Sequence, residues 1–109
     1  MSSQSRQLTI KTGVVTRLTK DVASYRDEAA KQKAKVAEMV DAARDEYEIR
    51  QQRRVLAESE AMVPDSEKRL AKAVADLEDL VASTEDELRG TDELTKAREA
   101  LRLAEPKLE

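Results

Sequence analysis

Cysteine and histidine are both absent from the chain. Without cysteine there is no disulfide scaffold, no thiolate metal site and no cysteine nucleophile. Without histidine the commonest metal ligand and general base is missing. Only two glycines occur, and neither a GxGxxG nor a GxxxxGK(S/T) run is present, so no phosphate-cradling loop is available. Aromatic residues make up 2% of the sequence, two tyrosines and nothing else, and β-branched runs between turn residues are scarce, which argues against a sheet. No apolar run approaches the length a bilayer demands. The polar opening from Met1 to Arg6 has no apolar core, so a secretory leader is not expected. These absences together point to a soluble, cytosolic protein.

What is present is a mixture of Ala, Glu, Lys, Arg, Leu, Asp and Val, the composition of long or coiled helices. At 109 residues a single domain is expected. The net charge of −3 is unevenly spread. Residues 1–43 hold eight Lys/Arg and five Asp/Glu, residues 44–82 seven and ten, and residues 83–109 five and eight. A basic first third on an acidic body either steers an acidic partner or is simply solvated helix surface.

The apolar pattern is the strongest signal. Val15, Leu18, Val22, Tyr25, Ala29, Gln32, Val36, Met39 and Ala43 follow one another at alternating steps of three and four, a heptad seam that Leu8 extends backwards. A second seam runs Ile49, Gln52, Leu56, Ser59, Val63, Ser66, Leu70, Ala73, Leu77, Leu80, Thr84, and a shorter third runs Leu94, Ala97, Leu101, Ala104, Leu108. The first and second are out of step by one residue, about 100° on a straight helix. That phase slip predicts a reversal near residues 43–46, with Asp45 capping the next helix and Glu48 reaching back as in a capping box. Gly90 suits the left-handed position after a helix, and Thr91 caps a third helix whose first turn holds Asp92 and Glu93. The predicted fold is all-α: an antiparallel three-helix bundle with coiled-coil-like packing. Its helices are expected at about residues 8–43, 46–89 and 92–108, and Gly13 lies inside the first at a cost of roughly 1 kcal/mol.

Folded about residue 45–46, the seams meet in layers that set Met39 against Gln52, Val36 against Leu56, Gln32 against Ser59, Tyr25 against Ser66 and Leu18 against Ala73, large against small. Helix three then covers the open side of the hairpin. Pro64 removes the backbone bond to the Glu60 carbonyl, and because the seam stays in phase across it, a kink is expected rather than a reversal. That bend either wraps the helix around the bundle or shapes a concavity at Met62, Val63 and Pro64. Acid-to-base pairs at i, i+4 are expected between Asp27 and Lys31, Glu46 and Arg50, Asp65 and Arg69, Glu85 and Arg89, and Asp92 and Lys96.

No catalytic constellation survives these exclusions: the carboxylates lie on helix exteriors beside Lys and Arg, and no metal-ligand spacing occurs, so neither enzyme activity nor a cofactor is expected. The clusters Lys31, Lys33, Lys35 and Arg50, Arg53, Arg54 lack an interleaved aromatic platform for nucleic acid. The apolar seams claim one another, leaving none for a membrane surface. A module that binds another protein is what remains. A structural coiled-coil adaptor and a nucleic-acid-binding helical arm are the rival readings. Gln32 and Gln52 on the seams suit either a monomer or a homodimer.

Particular segments go further. Ile10-Lys11-Thr12-Gly13-Val14-Val15 followed by Arg17, Leu18 and Lys20, then Tyr25-x-x-Glu28-Ala29, resembles the opening of the tubulin-binding cofactor A family. Tyr47-x-Ile49, Glu58-Ser59, Met62-Val63-Pro64-Asp65 and Arg69-Leu70 resemble its second helix and proline-containing centre, and Asp76-Leu77 continues the likeness. The similarity covers residues 7–82, and residues 83–93 depart from it. It implies a cytoplasmic, cytoskeleton-associated folding cofactor that holds β-tubulin after chaperonin release, ahead of αβ-heterodimer assembly, alongside other tubulin-folding cofactors and without nucleotide hydrolysis. The expected partner-binding residues are Lys11, Arg17, Tyr25, Glu28, Glu58, Met62, Pro64, Asp65 and Arg69. For Tyr25 and Met62, which lie on or beside the seams, a place in the core is the competing expectation.

Overall fold

The computed structural model describes residues 2–109, which form three helices and, among the described residues, no strand. The chain is all-α. Helix α1 spans Ser3–Asp41, α2 spans Glu46–Thr84 and α3 spans Asp92–Ala104, followed by a 3-10 turn over Glu105–Lys107. The molecule measures 63 × 22 × 16 Å.

Three helix boundaries differ from the sequence expectation. α1 begins at Ser3 rather than near residue 8, because the Ser2 hydroxyl accepts a bond from the Ser5 amide and caps a turn that has no apolar marker of its own. α2 stops at Thr84 rather than near residue 89. There the Ser83 and Thr84 hydroxyls both turn back onto the Leu80 carbonyl, and the chain leaves helical form in a turn that buries Leu88. α3 ends at Ala104, and the 3-10 turn that follows carries Pro106 near its start.

The connection between α1 and α2 needs neither glycine nor proline. Ala43 takes a left-handed conformation with φ of 52°, its amide bonds the Val40 carbonyl, and the Arg44 amide bonds the Met39 carbonyl. This is a Schellman ending with alanine at the position glycine favours. Asp45 then caps α2 through the Tyr47 and Glu48 amides, as expected. Glu48 does not close a capping box; its carboxylate pairs with Arg44 at 3.0 Å. The second connection follows the sequence reading: Gly90 has φ of 81°, and the Thr91 hydroxyl accepts from the Leu94 amide.

Helices α1 and α2 touch at points that recede from the turn on both. Gln32 Nε2 donates to the backbone carbonyl and the side-chain oxygen of Gln52, each at 2.9 Å. Farther out Arg26 reaches Glu67, and Leu18 and Ala73 line one groove. The Gln32 partner is one heptad nearer the turn than the expected Ser59, because Gln52 offers two acceptors, its backbone carbonyl and its side-chain oxygen, to the two N–H groups of the Gln32 amide. α2 runs unbroken through Pro64.

The core lies at one end. Leu8, Val15, Leu18, Val22, Leu70, Leu77, Leu88, Leu94, Ala97, Ala100 and Ala104 form one buried cluster. α3 accompanies α1 from the level of Thr9 and Thr12, and the Arg26 guanidinium donates both to Glu67 and to the Lys107 carbonyl and so joins the 3-10 turn after α3 to the other two helices. Beyond that clasp α1 and α2 continue as a two-helix arm, where among the described residues only Val36 and Met39 are buried apolar residues. Helix three therefore covers one end of the α1–α2 pair and not its whole length. Of the expected i, i+4 ion pairs, Asp27–Lys31 and Asp65–Arg69 form. Glu85 instead crosses to Arg98 on α3, Arg89 turns to Asp86, and among the described residues neither Glu46–Arg50 nor Asp92–Lys96 makes an ion pair.

Two predictions follow from this anatomy. Gly13 lies mid-helix with open space where a Cβ would sit, while Ala43 occupies a left-handed site. Gly13→Ala and Ala43→Gly should each raise stability by about 0.5–1 kcal/mol in urea denaturation. Amide hydrogen exchange should show residues 29–40 and 50–61 of the arm exchanging faster than residues 12–22 and 68–80 of the base, since few apolar contacts oppose local opening there.

Candidate basic groove between α1 and α2

Helical spacing brings Lys11, Val14, Arg17, Leu18 and Asp21 onto one face of α1, and Arg69, Lys72, Ala73 and Asp76 onto one face of α2. Where these faces meet they line a shallow groove of about 370 Å3 that α3 does not enter. Its floor is the half-buried Val14 and Ala73 with the buried Leu18, and its walls carry four cations against two carboxylates. α3 lines other hollows, one with Thr9 and Thr12 and one with Val74 and Glu78.

Of the residues singled out from sequence, Lys11, Arg17 and Arg69 converge in this groove. Asp65 is exposed and tied to Arg69 at 3.3 Å, one turn toward the proline. Glu28, Glu58 and Pro64 are exposed and do not line it; Tyr25 and Met62 are half-buried. Lys72 completes the basic lining and was not among the expected residues. Its signal is legible afterwards, since it follows Arg69 by three and shares its face.

The ion-pair pattern sharpens the groove's charge. Among the described residues Lys11, Arg17 and Lys72 make no salt bridge, whereas Arg69 holds Asp65. Lys31 behaves differently: its hydrogen bond to the Asp27 carboxylate, 2.9 Å away, raises its affinity for the proton, with the charges of Asp27 and Glu28 adding to this. On α3 the bond from Arg102 lowers the Glu99 carboxyl below its usual range. Both carboxylates are thus occupied within their own helices. No group of three or more His, Cys, Asp or Glu among the described residues is arranged to hold a metal ion, and no helix is long and apolar enough to cross a membrane.

Solved structures share the three-helix fold. Tubulin folding cofactor A from Arabidopsis thaliana matches 95% of this chain and 97% of its own with a TM-score of 0.88 at 36% identity. Human tubulin chaperone cofactor A matches 94% and 98% with a TM-score of 0.80, also at 36% identity. Recombinant tubulin-binding cofactor A from Leishmania major shares the fold, with a TM-score of 0.86 at 22% identity over the full length of both chains. In sequence, Arabidopsis tubulin-folding cofactor A is 46% identical over 72 residues, 66% of this chain and 64% of that protein, so the aligned stretch spans just under two thirds of the relative. Tubulin-specific chaperone A of Gallus gallus is 47% identical over 72 residues, 66% of this chain and 67% of its own. Residues 3–101 match the family described as Tubulin binding cofactor A, a span that takes in all of α1 and α2 and most of α3. The chain belongs to that family.

Proposed function

We propose that this protein is a tubulin-folding cofactor, a non-enzymatic holder of the β-tubulin folding intermediate after its release from chaperonin and ahead of αβ-heterodimer assembly. The observation that carries this reading is the agreement of fold over nearly the whole chain with solved tubulin folding cofactors, at an identity well above that of the fold alone. Relatives named as tubulin-folding cofactors and tubulin-specific chaperones support tubulin as the partner. The proposal sets the protein in the cytoplasm, associated with the cytoskeleton, handing its client to other tubulin-folding cofactors.

In this reading α1 and α2 form an antiparallel, coiled-coil-like pair that doubles back at Ala42–Asp45 and bends at Pro64, where the backbone lacks one donor. Holding a partly folded partner removes it from self-association by mass action, and no chemical step is required. The charges of the half-buried Lys11 and the exposed Arg17, Glu28, Glu58, Asp65 and Arg69 set the rate of encounter, and the apolar surfaces of Tyr25, Met62 and Pro64 prolong the complex. Such electrostatic capture is fast and weakens with salt.

The test is capture of chaperonin-released β-tubulin by the purified protein, followed on native gels. The unmodified protein should comigrate with β-tubulin. Arg17→Glu combined with Arg69→Glu should weaken capture by about tenfold while the thermal transition by circular dichroism stays in place. A protein that never comigrates with β-tubulin, or that instead retains RNA from a lysate, overturns the proposal.

A further inference from the structure

We infer that the groove formed by Lys11, Arg17, Arg69 and Lys72 is a docking site for an extended acidic peptide segment. The inference rests on the function proposed above only in taking that segment to belong to the captured client.

Charge is the first argument. The chain as a whole carries −3, yet the lining of this groove sums to +2. The linings of four other hollows on the surface lie between −1 and +1. A net anionic protein that gathers four cations from two helices into one concavity presents a local field opposite to its own, which draws an anionic ligand to that place. Among the described residues Lys11, Arg17 and Lys72 are also free of carboxylate partners, so docking displaces no salt bridge seen at these three positions.

Shape gives the second argument. From Lys11 to Asp21 the groove follows α1 for about 15 Å, the reach of roughly five residues of extended chain. Val14, Leu18 and Ala73 offer an apolar floor between the charged walls. In an extended peptide alternate side chains face opposite ways, so a segment mixing acidic and aliphatic residues sets its aliphatic side chains on the floor and its carboxylates against the cations.

The same lining disfavours nucleic acid. It contains no aromatic side chain on which a base could stack, and Asp21 and Asp76 interrupt the cationic walls where a phosphate backbone would need unbroken positive charge. Toward a peptide those two carboxylates serve as acceptors for backbone N–H groups.

The experiment uses the full chain and fluorescence anisotropy with three labelled probes of equal length: a peptide alternating glutamate and leucine, the same peptide with glutamine for glutamate, and oligo-dT. The glutamate peptide should bind, with affinity falling as sodium chloride rises. The glutamine peptide should bind about tenfold more weakly, and Lys11→Glu with Lys72→Glu should weaken the glutamate peptide by a similar factor. Lys96→Glu, on the α3 side, should leave it unchanged. Circular dichroism melting establishes that each variant is folded. Equal binding of both peptides, tighter binding of oligo-dT, or an unaltered affinity in the doubly reversed variant overturns the inference. Capture of β-tubulin by the unmodified protein is read alongside. Peptide binding without tubulin capture removes the proposed function and leaves the groove. Tubulin capture without peptide binding removes the groove and leaves the function.

Discussion

One seam has to be buried, and the chain has little with which to bury it. α1 and α2 each offer a narrow apolar stripe in which leucines and valines alternate with alanine, serine and glutamine, and neither stripe survives in water alone. Packing the two together covers their facing edges, but the fully buried leucines, Leu8, Leu70 and Leu77, all lie where a third helix closes over them. The alanines of α3 let it approach closely, so Ala97, Ala100 and Ala104 are buried beside those leucines. Small side chains here trade transfer energy for short interhelical distance, and dispersion contacts at that distance recover part of the difference. Everything outside this base depends on it: the arm is an extension of helices already nucleated and held below.

Much of this was readable from residue order. The seam phases located the break between α1 and α2 to within a few residues, because helices that pack through heptads cannot change phase without rotating out of contact. Gly90 and Thr91 announced the second connection through their own backbone preferences, as did Asp45 the start of α2. The failures have equally specific causes. Ala43 carries no mark of its left-handed state, since a cost of roughly 1 kcal/mol is small enough for packing on both sides to absorb. The end of α2 was hidden because Ser83 and Thr84 compete for a backbone carbonyl only once Leu88 has turned inward. The Gln32–Gln52 contact departed from uniform layering because polar residues select partners by hydrogen-bond capacity, whereas layering by size assumes apolar neighbours.

The groove shows a different limit. Charge summed over thirds of the chain reports an excess without saying where it gathers. Lys11 and Arg17 are separated from Arg69 and Lys72 by more than fifty residues of sequence, and only the pairing of α1 with α2 sets them side by side. Three of the nine expected residues meet there because their helical faces agree with the groove. Glu28, Glu58 and Pro64 occupy other parts of the surface, and Tyr25 and Met62 share their side chains between surface and interior.

The clasp made by Arg26 divides the molecule into two parts that need not evolve at the same pace. Below it, three helices constrain one another, and a change in any of them is felt by the other two. Above it, the register between α1 and α2 depends only on their mutual contacts and on the connection at Ala42–Asp45. A heptad inserted into each helix above the clasp would lengthen the arm by about 10 Å and return every seam residue to its face. The base, with its cationic channel, would be untouched. Reach beyond the body is therefore a quantity that this architecture can vary in steps of seven residues, independently of whatever the body holds.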